Sequence, residues 1–344
     1  MLLNPSHLSY IVLSPVLSAV FALLNIVTIY IFCRHLRLST LSLIVMVNIC
    51  ACDVFVCVIS NTFYIINLLH PVYAWSTGGA SCKIFKFVTM LTNIAQIYFL
   101  CILNADRIRR LVHNTSKQWK KREGVLFVSV AWIAATIICL PRLVLFDEKS
   151  ISKFSPKENA TIVVSFNCKP TGMNPTMYAV VTVATFVVAY ALPATYILFS
   201  LIRSQVFMWS RRKQIHISTT SNAVIRMHHK LALTFNLTGA LFLAIWTPFF
   251  VLSLVDLSHD LLNTEESRNV NFALRCTLLI LGSAKPLIYI VCLDRFRNCF
   301  TFGLTNRSIE GSTWSGSHTD NTSLTKKNTN SNDSPNVIKT ESTV

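Results

Sequence analysis

The chain has 344 residues, of which 52% are hydrophobic and 13% are charged. Soluble domains carry about 25% charged residues, so this composition argues against a soluble protein and favours several membrane spans. The mean hydropathy of +0.51 agrees. A net charge of +16 would suit a nucleic-acid-binding protein. However, the bases lie in clusters between apolar runs, and the excess of Lys and Arg in cytoplasmic loops explains this without nucleic acid.

Seven apolar runs are long enough to cross a bilayer as helices, which rise ~1.5 Å per residue. We place them at 10–33, 41–67, 82–110, 124–146, 174–203, 229–257 and 270–292. The runs are too long and too uniformly apolar to be strands of a transmembrane barrel. The sequence therefore predicts an all-α fold, a bundle of seven transmembrane helices in the region 10–292.

Three polar segments flank the predicted bundle. Residues 1–9 lack the charged segment and cleavage site of a signal peptide, and are predicted to form a short extracellular N-terminus. Residues 293–304 carry Phe296 and Phe300 four positions apart, which predicts a short amphipathic helix along the inner membrane surface. Residues 305–344 are rich in Ser, Thr and Asn, which predicts a disordered cytoplasmic tail.

Basic residues indicate the orientation of the bundle. They gather after the first, third and fifth spans, as Arg34, Arg37, Arg109, Arg110, Lys117, Lys120, Lys121, Arg122, Arg203, Arg211, Arg212, Lys213 and Arg226. The opposite loops mix bases with acids. Because Lys and Arg are enriched in cytoplasmic loops, the N-terminus is predicted outside the cell membrane and the C-terminus inside.

Landmark residues occur in a fixed order along the spans. They are Asn25, Asp53, Trp75 ahead of Cys82, Asp106-Arg107-Ile108, Trp132, Pro193, Phe242, Trp246-Thr247-Pro248 and Pro286-Leu287-Ile288-Tyr289. Together they resemble the rhodopsin-like (class A) G-protein-coupled receptors over residues 10–304. The resemblance implies that Asp106-Arg107-Ile108 transmits an extracellular signal to a heterotrimeric G protein. The alternative is that Arg107 is an ordinary arginine of the basic side, next to a chance aspartate.

The resemblance also implies two features of the outer side. It pairs Cys82 with Cys168 of the long outer loop in a disulfide, which an oxidising exterior permits, whereas the alternative is two free thiols. The same loop contains Asn159-Ala160-Thr161, an acceptable glycosylation sequon.

Five positions match the switch of the family. They are Phe242, Trp246, Pro248, Pro286 and Tyr289. The prolines remove helix hydrogen bonds and kink the helices, which makes two packings of one helix feasible. The aromatic pair Phe242 and Trp246 would also fill the core in the absence of any switch.

Lys285 departs from the family, which has asparagine at this place. A lysine inside a span is costly and should face a partner. We predict that its partner is Asp53, with Gln96 as a hydrogen-bond neighbour and Asn25 in the same intramembrane polar network. The ammonium would then fill the space of the family's sodium ion, and sodium should not modulate ligand binding. The alternative is that Lys285 extends to the inner membrane surface.

Two further departures affect basal activity in opposite directions. His228 stands where some members of the family place an acid that holds the arginine, which loosens the resting state. Leu201 replaces a tyrosine that supports the active state in many members. The balance favours slightly elevated basal signalling.

The mouth of the bundle argues against two ligand classes. Thr89 stands where amine receptors carry aspartate, and Lys285 is too deep for the retinal linkage. The candidate ligand-binding residues are Phe63, Trp75, Lys86, Thr89, Asn93, Arg142, Phe249, Phe250, Asp256 and Arg275. The basic members could meet an acidic group of a ligand, or they could pair with Asp256 and the outer-loop acids.

A peptide or chemokine ligand is favoured over an amine. The segment Arg109-Arg110-Leu111-Val112-His113 is similar to one in chemokine receptors, although the N-terminus lacks the acidic cluster that basic chemokines need. The unusual motifs and the Asn-, Thr- and Lys-rich tail would suit a virus-encoded receptor homologue, placed in the host cell membrane.

The tail and its neighbourhood suggest intracellular partners. Its Ser and Thr residues could be phosphorylated for arrestin-type proteins, and Ser342-Thr343-Val344 has the form of a ligand for PDZ domains. Cys299, beside the inner membrane surface, is a palmitoylation candidate. The sequence contains neither a metal-ligand cluster nor a nucleophile elbow, and we therefore predict neither an enzyme nor a cofactor. The rival hypothesis is a seven-span transporter or channel.

Overall fold

A computed structural model describes most of the bundle. The described residues are 5–35, 40–68, 75, 77–111, 119–155, 160–171, 174–215, 222–259 and 285–302. The chain divides into two units, Met1–Thr305 and Asn306–Val344, and every described residue belongs to the first. The described residues end at 302, so the predicted tail, residues 305–344, lies outside them.

The described helices follow the predicted spans. They are α1 (Pro5–Arg34), α2 (Thr40–Phe55), α3 (Asn61–Leu68), α4 (Gly79–Leu111), α5 (Lys121–Leu145), α6 (Pro175–Phe186), α7 (Leu192–Ile215), α8 (Asn222–His259), α9 (Lys285–Cys292) and α10 (Asp294–Phe302). The second span comprises α2 and α3, and the fifth comprises α6 and α7. The inner end of the seventh span is α9, while residues 270–284 of that span lie outside the described residues.

Five of the described helical segments are long and apolar enough to cross a membrane. They are Ile11–Arg34, Leu41–Phe63, Gly79–Arg109, Lys121–Leu145 and Pro175–Ser210. The sixth span lies within α8, which has 38 residues. The amphipathic helix predicted at 293–304 is α10, which begins at Asp294.

Helix ends differ from the predicted span ends for simple reasons. The first helix begins at Pro5, inside the segment that we predicted as the N-terminus. Proline suits the first turn of a helix, because its φ is already helical and the first turn needs no N–H donor. Between the fifth and sixth spans, α7 extends to Ile215 and α8 begins at Asn222. Apolar runs mark the part of a helix inside the membrane, and its hydrogen bonds continue beyond it.

Two spans contain a π-helical turn that the sequence analysis did not predict. The turn Val56–Ser60 joins α2 to α3, and Val187–Ala191 joins α6 to α7. Each turn changes which side chains face the bundle beyond it, as is common at functional sites. Beyond the first turn, the Asn61 amide faces the first span and donates to Ser14 Oγ at 2.7 Å.

The loop after the fourth span, which we predicted to be extracellular, folds into a β-hairpin, an addition to the predicted all-α fold. Strand β1 (Phe146–Ser155) pairs antiparallel with β2 (Ala160–Pro170), and the register is irregular between Ile151 and Ser152. The second strand contains β-branched residues at 161–164, which favour extended backbone. The sequence analysis treated this segment only as a long loop.

The core lies between the helices, and the outer faces are apolar too. Phe32, Phe99 and Tyr289 are among the largest fully buried side chains. At Gly124, α5 approaches α2 closely, since an added Cβ would lie 3.3 Å from Ile44 Cδ1. Exposed apolar side chains cover the outward faces, as a helix in contact with lipid requires.

Candidate functional site

A buried ion pair joins the second and seventh spans. Lys285 Nζ lies 2.6 Å from Oδ1 and 2.8 Å from Oδ2 of Asp53. Gln96 completes the group, because its Nε2 donates to Asp53 Oδ1 at 2.8 Å and its Oε1 accepts from Lys285 Nζ at 3.2 Å. The side chains of Lys285 and Asp53 are 4% and 3% exposed. The ammonium thus points into the bundle and not towards the inner membrane surface.

Two other predicted residues lie near the inner half of the bundle. Asn25 is fully buried, and its Nδ2 donates to the carbonyl of Phe21 in the same helix at 2.9 Å. Tyr289 is also buried, with its ring 5.4 Å from that of Phe32 and 6.0 Å from that of Phe296. Tyr289 therefore connects the seventh span to both the first span and α10 by aromatic packing.

Two predicted switch aromatics, Phe242 and Trp246, form a continuous row along α8 with the ligand-binding candidate Phe250. The ring centroids of Phe242 and Trp246 are 5.8 Å apart, and those of Trp246 and Phe250 are 6.1 Å apart. Phe250 stacks on Tyr190 of the fifth span at 4.4 Å, and the Tyr190 hydroxyl is hydrogen-bonded to Thr247. Pro248 lies inside this helix. A movement of α8 would therefore repack the contact between the fifth and sixth spans.

The predicted mouth of the bundle contains an aromatic cluster beside a hydroxyl pair. The Trp75 ring lies 6.2 Å from Phe63 and 5.4 Å from Phe85, and its Nε1 donates to the Gly78 carbonyl. One turn deeper, Thr89 Oγ1 is 2.9 Å from Ser60 Oγ. Asn93 is also buried. Thr89 thus presents a hydroxyl, bonded across to the second span, where an amine would need a carboxylate.

Two candidate cations converge on one aromatic ring. Lys86 Nζ lies 5.1 Å and Arg142 Cζ lies 5.6 Å from the ring centroid of Phe146, the first residue of the hairpin. The structure does not describe the side chains of four other predicted residues. Phe249 and Asp256 lie in α8, and Asn159 and Arg275 lie outside the described residues. Pairing of the cations with Asp256 therefore stays a hypothesis.

A disulfide anchors the hairpin to the third span. Cys82 and Cys168 are bonded, and their Cα atoms are 5.5 Å apart. A neighbouring ion pair was not predicted: Lys83 Nζ lies 3.0 Å from Asp147 Oδ2. The hydrogen bond from Lys83 lowers the pKa of the Asp147 carboxyl. Gly79 allows this approach, because an added Cβ would lie 2.3 Å from Asp147 Oδ1.

The end of the third span that we predicted to be cytoplasmic holds the predicted output residues. Asp106 and Arg107 are 3% and 7% exposed, and Ile108 is partly buried. Ser42 of the second span donates to Asp106 Oδ2 at 3.5 Å. Two residues later, the Arg109 guanidinium lies 4.0 Å from the ring centroid of Trp119. The acid and the arginine are therefore inside the bundle, where a change of packing would alter their exposure.

Sequence reasoning missed several polar residues on the predicted cytoplasmic half of the bundle. Lys230 of α8 forms an ion pair with Asp294, the first residue of α10. The Ser204 hydroxyl and the Asn236 amide are buried without a hydrogen-bond partner among the described residues. They lie one turn inward of Leu201, which is 3.5 Å from the position of a Cβ on Gly239. For Asn236, a polar side chain inside an apolar run was the available signal.

Comparison with known proteins identifies the family. Residues 24–289 match the 7 transmembrane receptor (rhodopsin family). The tachykinin-like peptides receptor 99D of Drosophila melanogaster is 20% identical over 80% of this chain and 53% of its own length. The neuropeptide FF receptor 2 of Rattus norvegicus is 24% identical over 80% of this chain and 67% of its own length.

A shorter match reaches a higher identity. The C-X-C chemokine receptor type 2 of Mus musculus is 33% identical over 35% of this chain and 37% of its own length. The chain thus spans about half of the tachykinin-like receptor and about a third of the chemokine receptor. These matches confirm the predicted seven-helix, multi-pass membrane fold and the prediction of a receptor rather than an enzyme. The chain belongs to the rhodopsin family of seven-transmembrane receptors.

Proposed function

We propose that the chain is a cell-membrane receptor that transmits an extracellular peptide or chemokine signal, or its own basal activity, to heterotrimeric G proteins. The observation that carries the proposal is the burial of Asp106 and Arg107 at the inner end of the third span, in a chain of this family. The relatives are receptors whose names specify tachykinin-like peptides, neuropeptide FF and chemokines, which supports a peptide ligand over an amine. The Thr89 hydroxyl at the mouth supports it as well.

The mechanism is a population shift between two packings of the bundle. A ligand can shift this equilibrium only by binding one packing better than the other. The proline inside α8 weakens the helix hydrogen bonding there, and the aromatic row of α8 connects the mouth to the inner half. Movement of α8 would expose Arg107, which then contacts the G protein. No covalent step is involved.

The first experiment measures ligand-free second-messenger output for the wild-type chain and for Arg107→Ala, at matched surface levels. We expect a basal signal that falls by about tenfold in the variant, within the usual range of coupling free energies. Arg109→Ala is the matched control, because Arg109 packs on Trp119 and is expected to keep most of the signal. A signal or a solute flux that survives loss of Arg107 would support the rival hypothesis of a transporter or channel.

His228 stands where some members of the family have an acid that stabilises the resting state. The ion pair between Lys230 and Asp294 supplies a resting-state contact in place of that acid. It joins α8 to α10, and its side chains are 48% and 47% exposed. The hydrogen bond from Lys230 lowers the pKa of the Asp294 carboxyl. The carboxylate form therefore persists at neutral pH, and the pair is lost only in acid, as the pH falls through that lowered pKa.

We expect Lys230→Glu to raise basal signalling by up to about fivefold, since an exposed pair contributes at most ~1 kcal/mol. Asp294→Lys should act likewise, and the double swap should restore the wild-type level. Arg297→Ala serves as the control, because Arg297 contacts Asp294 from within the same helix, α10. A double swap as active as the single variants would refute the role of this pair.

The orientation, the modifications and the intracellular partners in this proposal are inferred from the sequence. The N-terminus and the hairpin lie outside the cell, where Asn159 carries a glycan, and the tail lies inside, where arrestin-type proteins and a PDZ domain bind it. Cys299 is partly buried in α10, and its palmitoylation would add an anchor at the inner surface. The disulfide and the basic inner segments support this orientation.

A further inference from the structure

The end of α5 next to the hairpin places an arginine on the face of the helix that packs inside the bundle. The buried residues of this face recur every three or four positions, as Val128, Ala131, Ala135 and Cys139. Arg142 is the next position at this spacing, and the buried Phe146 follows it. Leu140 and Val144, on the opposite face, are exposed. Arg142 therefore lies on the side of α5 that faces the bundle and not on the side that faces lipid.

The Arg142 guanidinium has an aromatic ring beside it but no acid of the described chain. Its Cζ lies 5.6 Å from the ring centroid of Phe146. Among the residues that the structure describes, no carboxylate forms an ion pair with Arg142, and the neighbouring Asp147 is bound by Lys83 at 3.0 Å. A cation within a span is costly unless it has a partner, which makes it a candidate for a functional site.

A second cation lies over the same ring. Lys86 Nζ is 5.1 Å from the ring centroid of Phe146 and 5.9 Å from that of Phe85. Both rings belong to one packed cluster with Trp75, and the disulfide between the hairpin and the third span is part of this cluster. Two positive charges are thus held over one aromatic surface, where an anion would be attracted to both.

A buried amide extends the polar lining of this region along α4. Lys86, Thr89 and Asn93 are spaced by three and four residues and therefore lie on one face of the helix. Thr89 Oγ1 is 2.9 Å from Ser60 Oγ. Asn93 is 6% exposed, and its amide is hydrogen-bonded to none of the described residues. Because a buried amide without a partner costs free energy, Asn93 is suited to a ligand that supplies the hydrogen bond.

We propose that the mouth binds the carboxylate of a peptide ligand, which accepts two hydrogen bonds from the Arg142 guanidinium and is attracted by the Lys86 ammonium. The planar fork of an arginine matches the two oxygens of a carboxylate, and such charge-assisted bonds are strong. The apolar part of the ligand packs on the Phe146 ring, and a polar group deeper in the ligand bonds to Asn93. The inference rests on the proposed function and adds the chemistry of the ligand group.

The test is affinity selection of peptides on the full-length receptor in detergent, read by mass spectrometry. The probes are three pools of pentapeptides with the same uncharged residues and acetylated N-termini. One pool has a free C-terminal carboxylate, one is amidated, and one is amidated and contains a single Glu. We expect one of the acidic pools to be retained at least about tenfold better than the neutral pool. The better retained acidic pool distinguishes a terminal carboxylate from a side-chain carboxylate.

Arg142→Gln should remove this preference for acidic peptides. The control is Lys149→Gln, which removes the same charge from an exposed position of the hairpin and should keep the preference. Arg142→Lys keeps the charge but loses the paired hydrogen bonds, so its preference should be intermediate. Asn93→Asp adds a like charge and should lower the retention of acidic peptides without lowering that of the neutral pool. Thermal unfolding of each variant verifies folding.

Equal retention of the acidic and neutral pools by the wild-type receptor would overturn the inference, as would equal losses in Arg142→Gln and Lys149→Gln. The binding measurement uses purified receptor without a G protein, so its outcome is separate from that of the signalling experiment. A basal signal that depends on Arg107, in a receptor without the acidic preference, would overturn the carboxylate site alone. A receptor with the preference but without second-messenger output would overturn the proposed coupling alone.

Discussion

Replacement of Lys285 by methionine is expected to destabilise the bundle by about 3–5 kcal/mol, because it leaves the Asp53 carboxylate buried without its cation. In the wild-type chain both carboxylate oxygens accept from the ammonium, at 2.6 and 2.8 Å. Gln96 would remain as a donor to Asp53, but one neutral hydrogen bond does not offset the loss of a full charge in a site 3% exposed.

The loss of stability caused by Lys285→Met should largely disappear when both partners of the ion pair are removed. In Lys285→Met/Asp53→Leu, no buried charge remains, and such replacements are often neutral or stabilising. The coupling free energy from the double-mutant cycle is therefore expected to be large and is measured by thermal unfolding of the purified receptor. Lys83→Met is the matched control, since that lysine pairs with Asp147 at 36% and 41% exposure and should cost less than ~1 kcal/mol.

Equal costs for Lys285→Met and Lys83→Met would show that the intramembrane pair does not hold the spans together. Sodium supplies a second readout of the same pair. With the ammonium at Asp53, the unfolding temperature should be the same in sodium and choline salts at equal ionic strength. In Lys285→Asn, the space is free and a sodium effect should emerge. A sodium effect in the wild-type chain would contradict the pairing.

The sequence predicted this pair because a charged side chain inside an apolar span needs a partner of opposite charge. A lysine in the seventh span and an aspartate in the second span constrain each other strongly, and Gln96 adds a group that can bond to both. The spans were predictable for the related reason that lipid demands long apolar helices. The hairpin was not predictable, since its strands are stabilised by pairing with each other and by a disulfide to a distant cysteine.

The inner contacts were beyond prediction for a different reason. The approach of Lys230 to Asp294 depends on how far α8 extends beyond the membrane, which no apolar pattern marks. The π-helical turns also shift side chains by a fraction of a turn, so the facing of Asn61 towards Ser14 could not be derived from spacing. Contacts between exposed polar residues are many and weak, and sequence alone does not choose among them.

Loss of the disulfide has the second largest expected effect. Cys82→Ser and Cys168→Ser should each destabilise the receptor by about 2–4 kcal/mol, because the bond closes a loop of 86 residues and removes freedom from the unfolded chain. The outer ends of the third span and of β2 would separate, and the Phe146 ring would no longer be held between Lys86 and Arg142. Ligand binding at the mouth should therefore weaken together with stability.

The double variant distinguishes one shared bond from two separate cysteine roles. If the two sulfurs act only through their bond, Cys82→Ser/Cys168→Ser should be no less stable than either single variant, because the second change removes nothing further. Cys33→Ser, at an exposed free cysteine, is the control and should leave the unfolding temperature unchanged. Additive losses would mean that each thiol packs independently.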